Sequence, residues 1–323
     1  MYVAPGRTGL RIDADPQQHS SHFTHSGTRV WPETNCYLDL WIETLHALGL
    51  DPVPSLSCAL SADHDGMQWT FLKQQPEDLR RLYGLEVGED IQWLPLLETV
   101  ETAPVRGILH TVEVDSWWLP DTAGTAYRHD HVKTSIVPTR VDRDERVLWY
   151  IHNAGLYELG GEDFEGLFRV SAGSETALPP YIEQITYHPD RIETDAEIVV
   201  LRGHLTRRAA GNPVERLADG LREALRWLPE AGIDRFHQWA FATLRQCGAT
   251  AEVAADVAVY ADQLFAGAAL AEAPFRTVAA SAKSVEFKMA RAAMGRHVNV
   301  DGILDDMARA WQSGIDAMVA AAG

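Results

Sequence analysis

Beyond Asp195 every segment repeats apolar residues at spacings of three and four, whereas up to about Pro189 short strand-like and helix-like pieces alternate with Pro and Gly. A change of period this abrupt excludes a single layer type running through the chain, because strands bury one face every second residue and helices a stripe every three to four. We therefore expect an α+β domain over residues 1–192 and an α-helical bundle over residues 193–323. In the second part "VERLADGLREALRWLP", "TAEVAADVAVYADQLFAG", "FRTVAASAKSVEFKMARAAMG" and their neighbours make five or six helices, with turns at Gly211-Asn212-Pro213 and Gly267.

The chain has 323 residues, 46% of them apolar, enough for a packed core in each part. No stretch reaches the roughly 20 apolar residues that span a bilayer, and "MYVAPGRTGLRIDADPQQHS" has neither a basic leader nor a hydrophobic signal core, so a cytoplasmic protein without membrane contact is expected. The formal charge is −18, which opposes a broad surface for a phosphate backbone; DNA is not an expected partner and tRNA a disfavoured one. Cys36, Cys58 and Cys247 are too few and too scattered for a disulfide framework or a four-thiolate zinc site. Any chemistry at these residues is that of a free thiol.

Cys36 opens a helix. Tyr37, Leu40, Trp41, Leu45 and Leu48 form its apolar stripe, Asp39 and Glu43 lie on the other side, Thr34 or Asn35 can cap it and Gly49 stops it. The unpaired N–H groups and the positive dipole end favour thiolate there, although a lone cysteine packs more often than it reacts. A thiol nucleophile works with a histidine held by Asn or Asp. Gly107–Pro120 reads as a strand ending in a loop, and "HVKTSIVPTRVDRDERVLWYIHN" as a hairpin about Asp142. Eleven residues on either side of Asp142 stand His131 and Asn153, which would then lie opposite each other on one face. His129 presents the same face and is the competing base; His152 points away from Asn153 and is the weaker rival.

"NCYLDLWIETLHALGLDP", "HVKTSIV" and "WYIHNAGLYELGGEDFEGLF" resemble the nucleophile helix, the histidine strand and the following strand of the papain-like superfamily, nearest its bacteriocin-leader peptidases. Within that group they resemble the N-terminal domain of the butirosin-biosynthesis acyltransferase type, which moves an aminoacyl group from a carrier protein to an amine. Over its full length, including "FHQWAFATLRQCGA" and "KSVEFKMARA", the chain is similar to a bacterial family of unknown function, encoded near carrier proteins and amino-acid-loading ligases. The resemblance implies a papain-like domain whose antiparallel sheet packs on the nucleophile helix, with a Cys36–His131–Asn153 triad. It departs from the peptidases at Val30, six residues before the cysteine, where they place an oxyanion Gln. Asn35 or Gln68, with the Cys36 backbone N–H, would supply the donors instead.

Before His131, the loop "VDSWWLPDTAGTAYRHD" brings Trp117, Trp118 and Tyr127 as walls for an acyl group, or simply packs its own aromatics; Asp115 or Asp121 would hold an ammonium. His19, His22 and His25 read as a polar loop and "DHDG" as a turn, so no metal is expected. Lys283, Phe287 and Arg291, with His237, Arg245 and Gln246, read as an interhelical ion-pair network ahead of an acceptor or carrier-arm site. The expected activity is transfer of an acyl or aminoacyl group from a carrier-protein thioester through Cys36 to a small amine or hydroxyl acceptor, with no cofactor except the donor's phosphopantetheine arm. The alternatives are an aminoacyl-tRNA-dependent transferase, a cysteine peptidase or amidase of the same fold, and a non-catalytic binding protein.

Overall fold

The computed structural model describes residues 9–170 and 179–323; the first eight residues, part of the stretch read as lacking a leader, lie outside it. Spatial neighbours divide the chain into two units that interleave in sequence. One comprises Met1–Phe23, Cys36–Pro52 and Gln75–Thr194, the other Thr24–Asn35, Val53–Gln74 and Asp195–Gly323. The change of period near Asp195 thus coincides with the start of the second unit's last segment. Residues 24–35 and 53–74, expected in the first domain, belong with the helices.

In the first unit six strands form one antiparallel sheet: β1 (Leu85–Glu89), β2 (Leu109–Asp115), β3 (Lys133–Asp142), β4 (Val147–His152), β5 (Gly155–Gly160) and β6 (Ile182–Tyr187), in the order β1-β6-β2-β3-β4-β5. Alternation along the strands gives each face its own core. Leu109, Val137, Ile151 and Ile185 pack with Leu40, Trp41 and Leu45 of α1 (Cys36–Ala47). On the opposite face Val112, Ile136, Leu148 and Ile182 pack with Leu97 and Val100 of α3 (Leu96–Arg106) and Phe164 of α4 (Glu162–Leu167). The short helix α2 (Pro76–Tyr83) lies against β1.

α1 ends as expected, with Gly49 at φ 75° and Leu50 N–H donating to Leu45 O at 2.9 Å. Its polar side, however, is not solvated: Asp39 and Glu43 are both buried. Residues 19–22 cross that side, where the Glu43 carboxylate accepts from His19 Nε2 and from the His22 backbone N–H, each at 2.8 Å. A charged residue at helical spacing marks a polar face, and long-range packing decides whether water or another segment covers it.

The β3–β4 hairpin corrects the expected register. Its turn spans residues 143–146, and Asp142 is the last residue of β3, its carboxylate accepting from Glu145 N–H at 3.0 Å. Pairing runs Asp142↔Val147, Val141↔Leu148 and Arg140↔Trp149, then skips Thr139 to Pro138↔Tyr150 and Val137↔Ile151. Pro138 has no N–H for the ladder, and the skipped residue is a bulge. β3 begins at Lys133 and its ladder with β4 ends at Val137↔Ile151, so His131 and Asn153 are not cross-strand partners.

The second unit holds α5 (Ala196–Arg207), α6 (Pro213–Ala240), α7 (Gln246–Ala261), α8 (Glu272–Ala293) and α9 (Asp301–Ala322). α6 is broken at Gly232, three residues after Pro229, and a π-helical turn over Phe241–Arg245 leads into α7. Two tryptophans fasten the earlier segments to these helices. Trp31 Nε1 donates to Ala279 O at 2.9 Å and its ring lies over Gly248, where any Cβ would sit 2.5 Å from the ring. Trp69 Nε1 donates to Thr250 Oγ1 at 3.1 Å and meets Trp311 edge-on. The ion-pair network expected around Lys283 is centred elsewhere, on buried Glu252 and Asp256, which take Trp31 N–H, Arg29 and Arg276. Lys283 pairs with Glu286 and covers the Trp31 ring, and Phe287 is exposed. Among the described residues no helix is long and apolar enough to cross a membrane.

Candidate functional site

Cys36 is the first residue of α1 and is half-buried. The helix dipole favours thiolate, yet burial is the largest influence and raises the thiol above its ordinary value. A hydrogen bond with the Thr134 hydroxyl and the nearby Lys133 charge lower it, Asp39 raises it, and the sum is a thiol that stays protonated at neutral pH. The thiolate expected from position alone is not the resting state.

Thr134 connects Cys36 to a buried imidazole. Its hydroxyl is 2.8 Å from His152 Nε2, and His152 Nδ1 is 2.5 Å from Asp121 Oδ2. A carboxylate accepts only, so Nδ1 carries the proton and Nε2 accepts from Thr134. Tyr150 donates its phenol to Asp121 Oδ1 at 2.5 Å, and burial together with Asp121 pushes that phenol's ionisation upward. The period of two in β4 sets Tyr150 and His152 on one face. Asp121 reaches them from the 3-10 turn Pro120–Thr122, pinned by Thr122 Oγ1 on Leu119 O at 2.9 Å. The result is a hydrogen-bonded line from hydroxyl to imidazole to carboxylate, with the Cys36 thiol beside the hydroxyl at its outer end.

His131 belongs to a different pair. β2 and β3 pair Asp115 with Lys133, so two positions further Trp117 comes beside His131, and their rings stack 4.6 Å apart and 8° from parallel. His131 Nδ1 is 2.6 Å from Asp115 Oδ2, while Oδ1 accepts from Trp117 N–H at 3.0 Å. Asp115 therefore does for His131 what was expected of Asn153, and leaves Nε2 toward solvent on a side chain 69% exposed. Asn153 occupies the turn between β4 and β5 at φ 43°, a left-handed conformation that Asn tolerates.

The other expected residues are placed as follows. Asp121 is no ammonium clamp, because both its oxygens serve His152 and Tyr150. His129 is exposed and pairs with Asp130. Tyr127 donates to Asp163 at 3.0 Å. Trp118 lies flat on Gly166 under Arg128 and, with Asp115, Glu98, Glu113 and Phe168, lines a cavity of about 490 Å³. Asn35, in the second unit, spends its amide N–H groups on Leu72 O at 2.9 Å and Gln246 Oε1 at 3.3 Å, which removes it as an oxyanion donor. Gln68 sits exposed in the turn closed by Asp65. Among the described residues no group of three or more His, Cys, Asp or Glu is disposed to hold a metal ion. Sequence reasoning missed Thr134, ranked His152 behind His131 and His129, and gave Asp121 to an ammonium; the signal for the pair was the spacing of two between Tyr150 and His152, beside the loop that carries Asp121.

Fold and site together define a class: a two-unit α+β protein with a helix-initiating cysteine wired to a buried His–Asp pair. The chain matches the DUF1839 N-terminal domain over residues 20–187 and the DUF1839 C-terminal domain over residues 190–320, and belongs to the DUF1839 family. No curated protein matches it.

Proposed function

We propose that this protein is a cysteine-dependent acyl or aminoacyl transferase. The observation that carries the reading is the line Thr134–His152–Asp121 with the Cys36 thiol beside the Thr134 hydroxyl. The thiol proton passes to the Thr134 oxygen as the Thr134 proton passes to His152 Nε2, and the imidazolium is held by Asp121. The sulfur then attacks the carbonyl of an acyl thioester; its new C–S bond replaces that of the donor thiol, which leaves with a proton returned along the same line. An amine or hydroxyl acceptor next attacks the Cys36 thioester, its bond to carbon replaces the C–S bond, and its proton goes to His152 and from there through Thr134 to the released Cys36 sulfur, which restores the resting thiol.

Exchange between two thioesters is nearly balanced in energy, so a carrier protein's phosphopantetheine arm is a fitting donor. A helix carrying the thiol against an antiparallel sheet carrying the imidazole agrees with a papain-like architecture, and free cysteines with the cytoplasm. The charge of −18 weighs against aminoacyl-tRNA as donor.

The test is intact mass after incubation with an aminoacyl-pantetheine thioester. Wild type should gain one acyl group, Cys36→Ala none, and His152→Asn should acylate at least ~100-fold more slowly. An equal adduct on Cys36→Ala would sink the reading. A second reading, a binding protein without catalysis, is favoured by the burial that keeps the thiol neutral; an unmodified wild type would support it.

A further inference from the structure

We propose that the acyl group delivered to Cys36 has a broad apolar body with an ammonium at its far end, and that it lies in the cavity bounded by β2, α3 and α4. This inference rests on the acylation proposed above and names the class of its substrate. The cavity, about 490 Å³, is within the size range of small-ligand sites and is built from the first unit. One wall residue ties it to the thiol. Val114 of β2 stands directly across from Thr134 of β3, so the two side chains share a face of the sheet about 5 Å apart. Thr134 is the residue whose hydroxyl meets both Cys36 and His152.

The walls are apolar and fixed. Leu97, Leu167 and Phe168 belong to the buried core of that face. Trp118 is held against Gly166 by Arg128, whose guanidinium lies 4.6 Å over the indole and pairs with Asp163 at 2.6 Å. Such a wall suits an aromatic or branched body. The charges around it are all engaged except one. Glu113 pairs with Lys133, Asp115 with His131 and Arg143 with Glu101, and Arg169 is engaged as well. Glu98, in the first turn of α3, lines the same cavity and has no side-chain partner among the described residues. A single uncommitted carboxylate beside apolar walls is the complement of an ammonium on a hydrocarbon body. Glu98 stands on the helix that covers the sheet face, whereas Val114 stands on the sheet beside Thr134, so the carboxylate serves the end of the acyl group remote from the thioester carbonyl.

The probes are pantetheine thioesters of 4-(aminomethyl)phenylacetic acid, 4-ethylphenylacetic acid and acetic acid. The first two match in shape and in their carbonyl, and differ in charge at the far end. Acylation of the full-length wild type, timed by intact mass, should run about tenfold faster with the aminomethyl thioester than with the ethyl one, and slowest with acetyl. Glu98→Gln should bring the first two rates within about twofold of each other and leave the acetyl rate unchanged, with melting curves to report its fold. Two amides, 4-(aminomethyl)phenylacetamide and 4-ethylphenylacetamide, titrated into Cys36→Ala by calorimetry, test the cavity without the reaction. The aminomethyl amide should bind saturably and the ethyl amide about tenfold more weakly. Selective binding of that amide with no acylation of wild type by any thioester would end the acyl-transfer reading and uphold the ligand class of the cavity. Equal acylation by the first two thioesters, equal or absent binding of the two amides, or a preference that survives in a folded Glu98→Gln would overturn the inference.

Discussion

At Cys36 two electrostatic effects oppose each other. A helix N-terminus is worth about 0.3–1 kcal/mol to a negative charge, while removal of the thiolate from water costs more as burial deepens. Burial wins, so less thiolate exists at any given pH than for a free thiol. Iodoacetamide should accordingly alkylate Cys36 more slowly than a free cysteine at neutral pH, with a rate profile whose midpoint lies above the ordinary thiol value. Thr134→Val removes a contact that lowers that midpoint and should slow alkylation at fixed pH by about two- to tenfold; an unchanged rate would argue that the hydroxyl does not engage the sulfur. Histidine identity follows the same logic of partners. His131 and His152 are both bound through Nδ1 to a carboxylate, but one faces water and the other a threonine. His131→Ala should therefore leave acylation within about threefold of wild type if His152 is the base, since an exposed pair contributes little to a buried proton path.

Among the elements, α2 carries the clearest pH response. Arg80, hydrogen-bonded to Glu77, and then Arg81 hold the Glu77 carboxyl down at about 2, and both arginines also reach Glu193. A carboxyl depressed in the folded state stabilises above its unfolded value, near 4.5, and that contribution disappears as pH falls toward 2. Because the group is exposed, Glu77→Gln should cost less than about 1 kcal/mol at pH 6 and nothing near pH 2, read from urea midpoints at both pH values. The contact of Trp31 with α7 is less forgiving. Gly248→Ala would drive a methyl into the indole ring, and should destabilise by about 1–3 kcal/mol and speed proteolysis within residues 24–35. The β3–β4 hairpin teaches a further point about elements: alternation located both strands, but one bulge at Thr139 was enough to change every cross-strand partner beyond it.

For the whole molecule the governing fact is that the second unit is assembled from three separate stretches of chain. Residues 24–35 and 53–74 contribute Trp31, Leu56, Leu60 and Trp69, all buried, and Arg29, whose guanidinium meets Asp256 at 2.7 Å. A fragment of residues 193–323 would expose the surfaces these side chains cover and deprive Glu252 of the Trp31 N–H and Asp256 of Arg29, leaving Arg276 alone beside the two carboxylates. It should melt without a cooperative transition and bind a hydrophobic dye, whereas the full chain should do neither; a sharp melt of the fragment would contradict this.

By itself the sequence determined the helix that Cys36 starts and Gly49 closes, the strand after Gly107, the two strands of the following hairpin, and that a mixed region precedes a helical one, because each of these depends on neighbours within one or two turns of chain. Only the tertiary structure decided that His152 rather than His131 connects to the thiol, that Asp115 rather than Asn153 orients His131, that Asp39 and Glu43 are covered, and that two early segments complete the helical core. Each of those outcomes turns on a contact between residues far apart in sequence, where a single skipped rung or one crossing segment redirects the partner, and no local period records it.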